Sequence, residues 1–324
     1  PQPAAGYNAQ FRFADCVAAF GCTPAHSAES AYCAGRGFFS GKRGGTMLEI
    51  LDTWDTVFTC FQDGRFSLKR WEGYADAAMP GLKEKVLEDT ADYDFRRDIL
   101  PVLQNLNGNR ERASEAHESF LEAVGGLNEK LEQKLGILPD MKIVFYLGLC
   151  SGAGWATELE GCPAVLLGLE KIVELSWSGR MSMKALLYHE IGHIWHFQVR
   201  GGRNVSEAAV DKGLWQLYSE GMAMYIEQLL CGEKHFYHQD KNGWLEWCAD
   251  HREELYREYL TRLERGESLQ PFFGDWSSLH GKSDTGYYLG GELIRSLAEK
   301  YSLRELAALE LSEVEKALKA AAFS

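Results

Sequence analysis

The stretch His189-Glu190-Ile191-Gly192-His193 constrains this chain more than any other. On a helix, residues four apart lie on one face, one turn above each other. Two imidazoles so placed reach one metal ion, and the glutamate between them reaches a water on that metal. The flanks predict the helix. Ser182 stands as N-cap, Leu186, Leu187, Ile191, Ile194 and Trp195 form an apolar stripe, and Gly201-Gly202 follow Arg200 as a stop. The expectation is one buried helix over about 183–199 carrying a zinc site.

A catalytic zinc keeps three protein ligands and one open position. His189 and His193 supply two, and the candidates for the third are His196, Glu207, Asp211, Glu220 and Glu227. His196 lies about 10 Å along the axis from His189, too far to share one ion, and reads as a neighbour of the ligands or a surface residue. Glu220 follows His193 by enough chain for a turn and a returning helix. Gly221 and Ala223 let that helix approach another backbone closely, and a carboxylate on such an inward face is costly unless paired. Glu220 is therefore the expected third ligand. Glu227, two turns on, is a candidate to stand behind the ligands.

Around this centre the periodicity divides the chain into four. Residues 1–46 are rich in Ala, Gly and Ser with little pattern, and read either as an unusual extension or as an N-terminal arm packed on the body. Residues 47–138 read as helical. Leu48, Leu51, Trp54, Val57, Phe58 and Phe61 recur at helical spacing up to Gly64, and helices are expected near 67–78, 81–90, 94–106 and 110–135. In the last of these, Glu115, Glu118, Glu122, Glu129 and Glu132 predict a solvated face.

Residues 139–205 form the sheet and zinc-helix part. Met141–Leu147 and Ala164–Leu169 read as strands separated by a glycine-rich loop with Gly152, Gly154 and Gly161. A strand edge there is suited to holding an extended peptide by main-chain hydrogen bonds, although an ordinary hairpin fits as well. Residues 206–324 read as a helical C-terminal half. A helix over 206–231 is capped by Asn204 and Glu207, a charged helix spans 242–265, and a loop follows over 266–285. A helix then opens at Thr285-Gly286-Tyr287-Tyr288-Leu289-Gly290-Gly291, and two short ones end the chain. The fold class expected is α+β, mostly α, with helical N- and C-terminal regions around a small sheet.

Composition bounds the partners. With a net charge of −13 and no basic block beyond Lys42-Arg43, nucleic acid and anionic membrane are disfavoured. The charge favours a cationic or neutral substrate, though simple solubility explains it as well. No apolar run is long enough for a membrane span, and the first residues do not read as a signal peptide. The eight cysteines include no Cys-x-x-Cys pair, which disfavours a cysteine zinc cluster. Scattered thiols suggest a reducing compartment, so the expected location is cytoplasmic; pairing of Cys16 with Cys22 or of Cys150 with Cys162 stays open.

The pair His189-Glu190-x-x-His193 and Glu220-Gly221-x-Ala223 resembles the gluzincin class of zinc metallopeptidases, in particular the M-one-type aminopeptidases and the predicted zinc-dependent proteases related to them. The resemblance covers about 139–300. It implies a thermolysin-like catalytic domain with a small mixed sheet and active-site helix. It implies Zn²⁺ on His189, His193 and Glu220, Glu190 as general base, and a peptide or protein substrate. That class also places a tyrosine near the oxyanion; Tyr287 with Gly290 and Tyr288 with Gly291 both match, and Tyr287 is favoured. No Gly-Ala-Met-Glu-Asn-like aminopeptidase signature precedes the helix, Gly152-Ala153-Gly154-Trp155 standing there instead, so endopeptidase and other amide-hydrolase activities remain open. The competing expectation is a catalytically inactive zinc-containing module that binds peptide or protein.

Overall fold

The computed structural model describes residues 48–202, 205–274 and 277–323. The expectations for 1–46, for Asn204 and for a Cys16–Cys22 pair lie outside them. The described chain is mostly helical with a small mixed sheet, an α+β arrangement.

The first part holds β1 (Leu48–Asp52), α1 (Trp54–Val57), β2 (Phe61–Gln62), β3 (Arg65–Phe66), α2 (Leu68–Ala78), α3 (Leu82–Asp89), a π-helical turn Phe95–Ile99, α4 (Leu100–Gly108), α5 (Arg110–Val124) and α6 (Leu127–Leu135). The middle holds β4 (Met141–Tyr146), β5 (Gly154–Leu159), β6 (Cys162–Gly168), α7 (Leu169–Glu174) and α8 (Arg180–Arg200). The last part holds α9 (Ala209–Cys231), α10 (Trp244–Asp250), α11 (Arg252–Arg265), α12 (Thr285–Leu297), α13 (Leu303–Ala307) and α14 (Leu311–Ala322).

The main sheet has the order β1-β4-β6-β5. β1, β4 and β6 run parallel and β5 is the antiparallel edge. β4 is buried on both faces apart from Lys142, as the apolar run Ile143 to Tyr146 requires. Two expectations fail here. The helix expected from Leu48 is instead β1, which pairs from Leu48 opposite Met141 to Asp52 opposite Phe145. The spacing of Leu48, Leu51 and Trp54 fits a helix locally, but a partner strand far along the chain overrides it. Thr53 continues the pairing: its amide and its Oγ1 both donate to the Phe145 carbonyl, at 3.2 and 2.8 Å. Gly64, read as the end of that helix, turns the β2–β3 hairpin with Asp63; both have positive φ.

The second failure is the glycine-rich loop, which contains a third strand, β5, from Gly154 to Leu159. Glu160 and Gly161, with φ of 50° and 77°, make the two-residue turn into β6. Two long helices also divide: Gly125-Gly126 separates α5 from α6, and His251 separates α10 from α11. The five glutamates of α5 and α6 are exposed as expected, and Glu122 binds Arg180 and Lys184 of α8.

Helix α2 completes the end of β4. Ser67 caps it, Trp71 Nε1 donates to the Leu147 carbonyl at 2.8 Å, and the Leu147 amide donates to Tyr74 Oη at 2.8 Å. In the same helix Gly73 is exposed, with open space where a side chain would stand. Gly73→Ala is expected to stabilise the protein by about 0.5–1 kcal/mol, because alanine loses less backbone entropy in a helix. Chemical denaturation reads it, and a lowered midpoint would contradict the open space.

Cys60, Cys150, Cys162, Cys231 and Cys248 are free thiols, so Cys150 and Cys162 are not paired. Burial pushes Cys60, Cys231 and Cys248 up to about 12, which keeps them protonated and unreactive. Among the described residues no helix is long and apolar enough to cross a membrane.

Candidate metal centre

Helix α8 is buried through its middle, from Met183 to His196 apart from Lys184 and His193, and the buried stretch includes the polar His189, Glu190 and His196. It starts after Gly179, one turn before the expected Ser182 cap, and stops at Gly201 with φ of 78°. Its partner is α9, which begins at Ala209 after Ala208, a position without a side-chain cap; the exposed Glu207 pairs with Lys212. The approach of these helices is set by small residues. A Cβ on Gly192 would stand 2.9 Å from the Ala223 Cα, and one on Gly221 would stand 2.9 Å from the Gly290 Cα in α12. Helices α8, α9 and α12 therefore meet at backbone contact, as the small residues at 221 and 223 predict.

This contact lowers Glu220 onto the paired imidazoles. Its Oε2 lies 3.2 Å from His189 Nε2 and 3.4 Å from His193 Nε2. One ligand atom from each of the three residues falls within 4.8 Å of the others. Behind them, His189 Nδ1 lies 3.2 Å from Glu227 Oε2, and His193 Nδ1 lies 3.3 Å from Ser219 Oγ. With Nδ1–H donated backwards in each ring, Nε2 is the nitrogen turned to Glu220. Glu227 is shared: its Oε1 lies 3.2 Å from His238 Nδ1.

The electrostatics follow from burial and charge. Burial works to raise the Glu220 carboxyl, but the positive charge and hydrogen bonds of His193 and His189 outweigh it and hold Glu220 far below the usual carboxylate range. Burial likewise works against a proton on His189, and the carboxylates of Glu220 and Glu227 reverse that, raising its pKa. The two carboxylates thus favour positive charge at the His189 ring. Glu190 differs. Burial is the main influence and lifts its carboxyl above the ordinary value, opposed by His189 and His193. Its carboxylate accepts the Ala156 amide of β5, and Gly154 makes room for it, since a Cβ there would stand 2.9 Å from Glu190 Oε1.

A cleft of about 390 Å³ adjoins His189 and Glu190. Its other walls include Trp177, His238, Trp244 and Tyr287. Tyr287 and Tyr288 separate clearly. The Tyr287 ring lies 5.8 Å from His189, whereas Tyr288 packs at 5.7 Å from Tyr237 and 6.3 Å from Trp244, outside the cleft lining. One residue along a helix is a rotation of about 100°, so only one of the two can face His189. β5 touches Glu190, but Gly154 to Thr157 are buried, and the cleft is walled by the segments around 175–177, 238–244 and 274–287 rather than by that strand edge.

The rejected ligand candidates lie elsewhere. His196 is a core residue, not a surface one: it stacks at 5.3 Å on Trp215 and meets Tyr218 edge-on at 4.7 Å, and burial pushes its pKa down to about 3. Glu207 is exposed, and Asp211 hydrogen-bonds Ser206. Sequence reasoning missed Ser219 and His238. Ser219 carries no spacing signal, and His238 sits on a loop whose place depends on Gln228 Nε2 donating to the Phe236 carbonyl. Comparison with protein-family models, with curated proteins and with solved structures finds no match.

Proposed function

We propose that this protein is a zinc-dependent peptidase of gluzincin type, with a thermolysin-like catalytic half. The observation that carries this reading is the convergence of Glu220 on both Nε2 atoms beside a cleft that Glu190 also lines. The donor set suits the ion: two imidazole nitrogens and one carboxylate are a three-ligand set of the kind catalytic zinc uses, each ring oriented by a second hydrogen bond. Zinc held there supplies a Lewis acid that polarises a carbonyl and makes water acidic near pH 7.

The chain's own residues do the rest. Glu190, buried and with a raised pKa, takes the proton of the attacking water and returns it to the leaving amine. Tyr287, on the cleft wall beside His189, donates to the oxygen that gains charge. Glu227 and Ser219 keep the imidazoles from rotating.

The test is metal analysis combined with peptide cleavage. One zinc per chain and cleavage abolished by chelator are expected; a metal-free protein that cleaves nothing would end the reading, and zinc without cleavage would favour a binding module. Glu220→Ala should lower zinc affinity by several orders of magnitude, since it removes a first ligand. Unchanged stoichiometry in that variant would move the ligand elsewhere.

A further inference from the structure

The net charge of −13 favours a cationic or neutral substrate, but the cleft has a local character of its own. Lys241 enters its lining from the segment after α9, and Lys282 from the turn before α12. Each ammonium faces an indole: Lys241 Nζ lies 6.0 Å from the Trp177 ring centroid and Lys282 Nζ 5.9 Å from that of Trp247. Among the described residues neither ammonium has a carboxylate within ion-pair distance. Elsewhere Lys83, Lys142, Lys184 and Lys212 are all neutralised by carboxylates.

The two acidic residues of the lining are turned to partners other than these ammonium groups. Glu190 faces the metal ligands, and Asp284 is engaged, accepting from the Gly274 amide at 2.9 Å and from Ser283 Oγ at 3.1 Å. Two ammonium groups held on aromatic faces, inside a cleft on an otherwise acidic protein, present a short-range attraction for anions that the distant negative charges, screened beyond about 10 Å, do not cancel.

We propose that the cleft selects substrates bearing a carboxylate close to the bond that is attacked, with Lys241 and Lys282 as the groups that bind it. This rests on the peptidase reading for the nature of the substrate, but it is a statement about binding and is tested as one. The shared chemistry is a carboxylate, whether an Asp or Glu side chain or the free C-terminus of a peptide.

The experiment uses the zinc-loaded full chain carrying Glu190→Gln, so that nothing is consumed, and reads the anisotropy of fluorescent peptides in four forms. These are acidic side chains with an amidated end, neutral side chains with a free end, neutral side chains with an amidated end, and basic side chains. One or both carboxylate forms should bind about ten-fold more tightly than the amidated neutral peptide, and which of them does so identifies the source. That ratio should fall to near one with Lys241→Met and Lys282→Met together, persist with Lys→Arg at both positions, and shrink as salt is added. Equal binding of all four forms, tighter binding of the basic peptide, a ratio preserved in the double Met variant, or no binding at all would overturn the proposal. Selective binding by the variant with no cleavage by the unaltered protein would instead leave this inference standing and remove the peptidase reading.

Discussion

Glu190→Gln is expected to bind zinc at unaltered stoichiometry and to lower kcat about 10³-fold, the range over which a positioned general base contributes. The substitution is close to isosteric, and a glutamine Oε1 can still accept the Ala156 amide that holds the glutamate now. Gly154 leaves the same room for either side chain. What is lost is the ability to take a proton. The pH profile gives a second reading. Burial raises the Glu190 carboxyl, so on the proposed mechanism the unaltered protein should lose activity as pH falls through a value above the ordinary carboxylate range, where the base becomes protonated. That acid limb should vanish from the residual activity of the variant. Full activity with zinc in place would remove Glu190 from the mechanism, and loss of zinc would make it a structural partner of the ligands instead.

The parts of the site that were legible in the sequence are those set by one helix or by a cost. His189 and His193 share a turn, so their proximity needs only the helix. Glu220 stood out because an inward carboxylate beside Gly221 and Ala223 needs a partner. Glu227 lies nearly two turns on, on the same face, and its place behind His189 follows. The features that escaped depend on distant chain. β1 carries apolar residues at helical spacing and becomes a strand only because β4 lies beside it. β5 opens on a glycine at the point where α8 crowds it and is flanked by further glycines, which hides its strand pattern. Ser219 and His238 act through single hydrogen bonds that the packing creates.

Gly221→Ala sets local propensity against packing, and packing is expected to win. In an isolated helix the change would stabilise by about 1 kcal/mol. Here the new methyl would stand 2.6 Å from the Gly290 carbonyl carbon, with the carbonyl oxygen closer still. These are backbone atoms of α12, which cannot rotate aside. The opposing surface is equally tight, since a Cβ on Gly290 would stand 2.8 Å from the Gly221 amide nitrogen. The helices must separate, at a cost of about 3 kcal/mol, the upper part of the usual range for overpacking. The net loss is about 2 kcal/mol, a fall in Tm of about 3–4 °C for a chain of this size. It should persist in chelator-treated protein, because the clash involves no ligand atom. Zinc affinity should fall as well, since Glu220 is the preceding residue and moves with the helix. Gly73→Ala, the same chemical change in open space, should shift Tm the other way. If both variants rise together, α9 and α12 do not touch at these glycines, and the placement of Glu220 over His189 and His193 loses its physical cause.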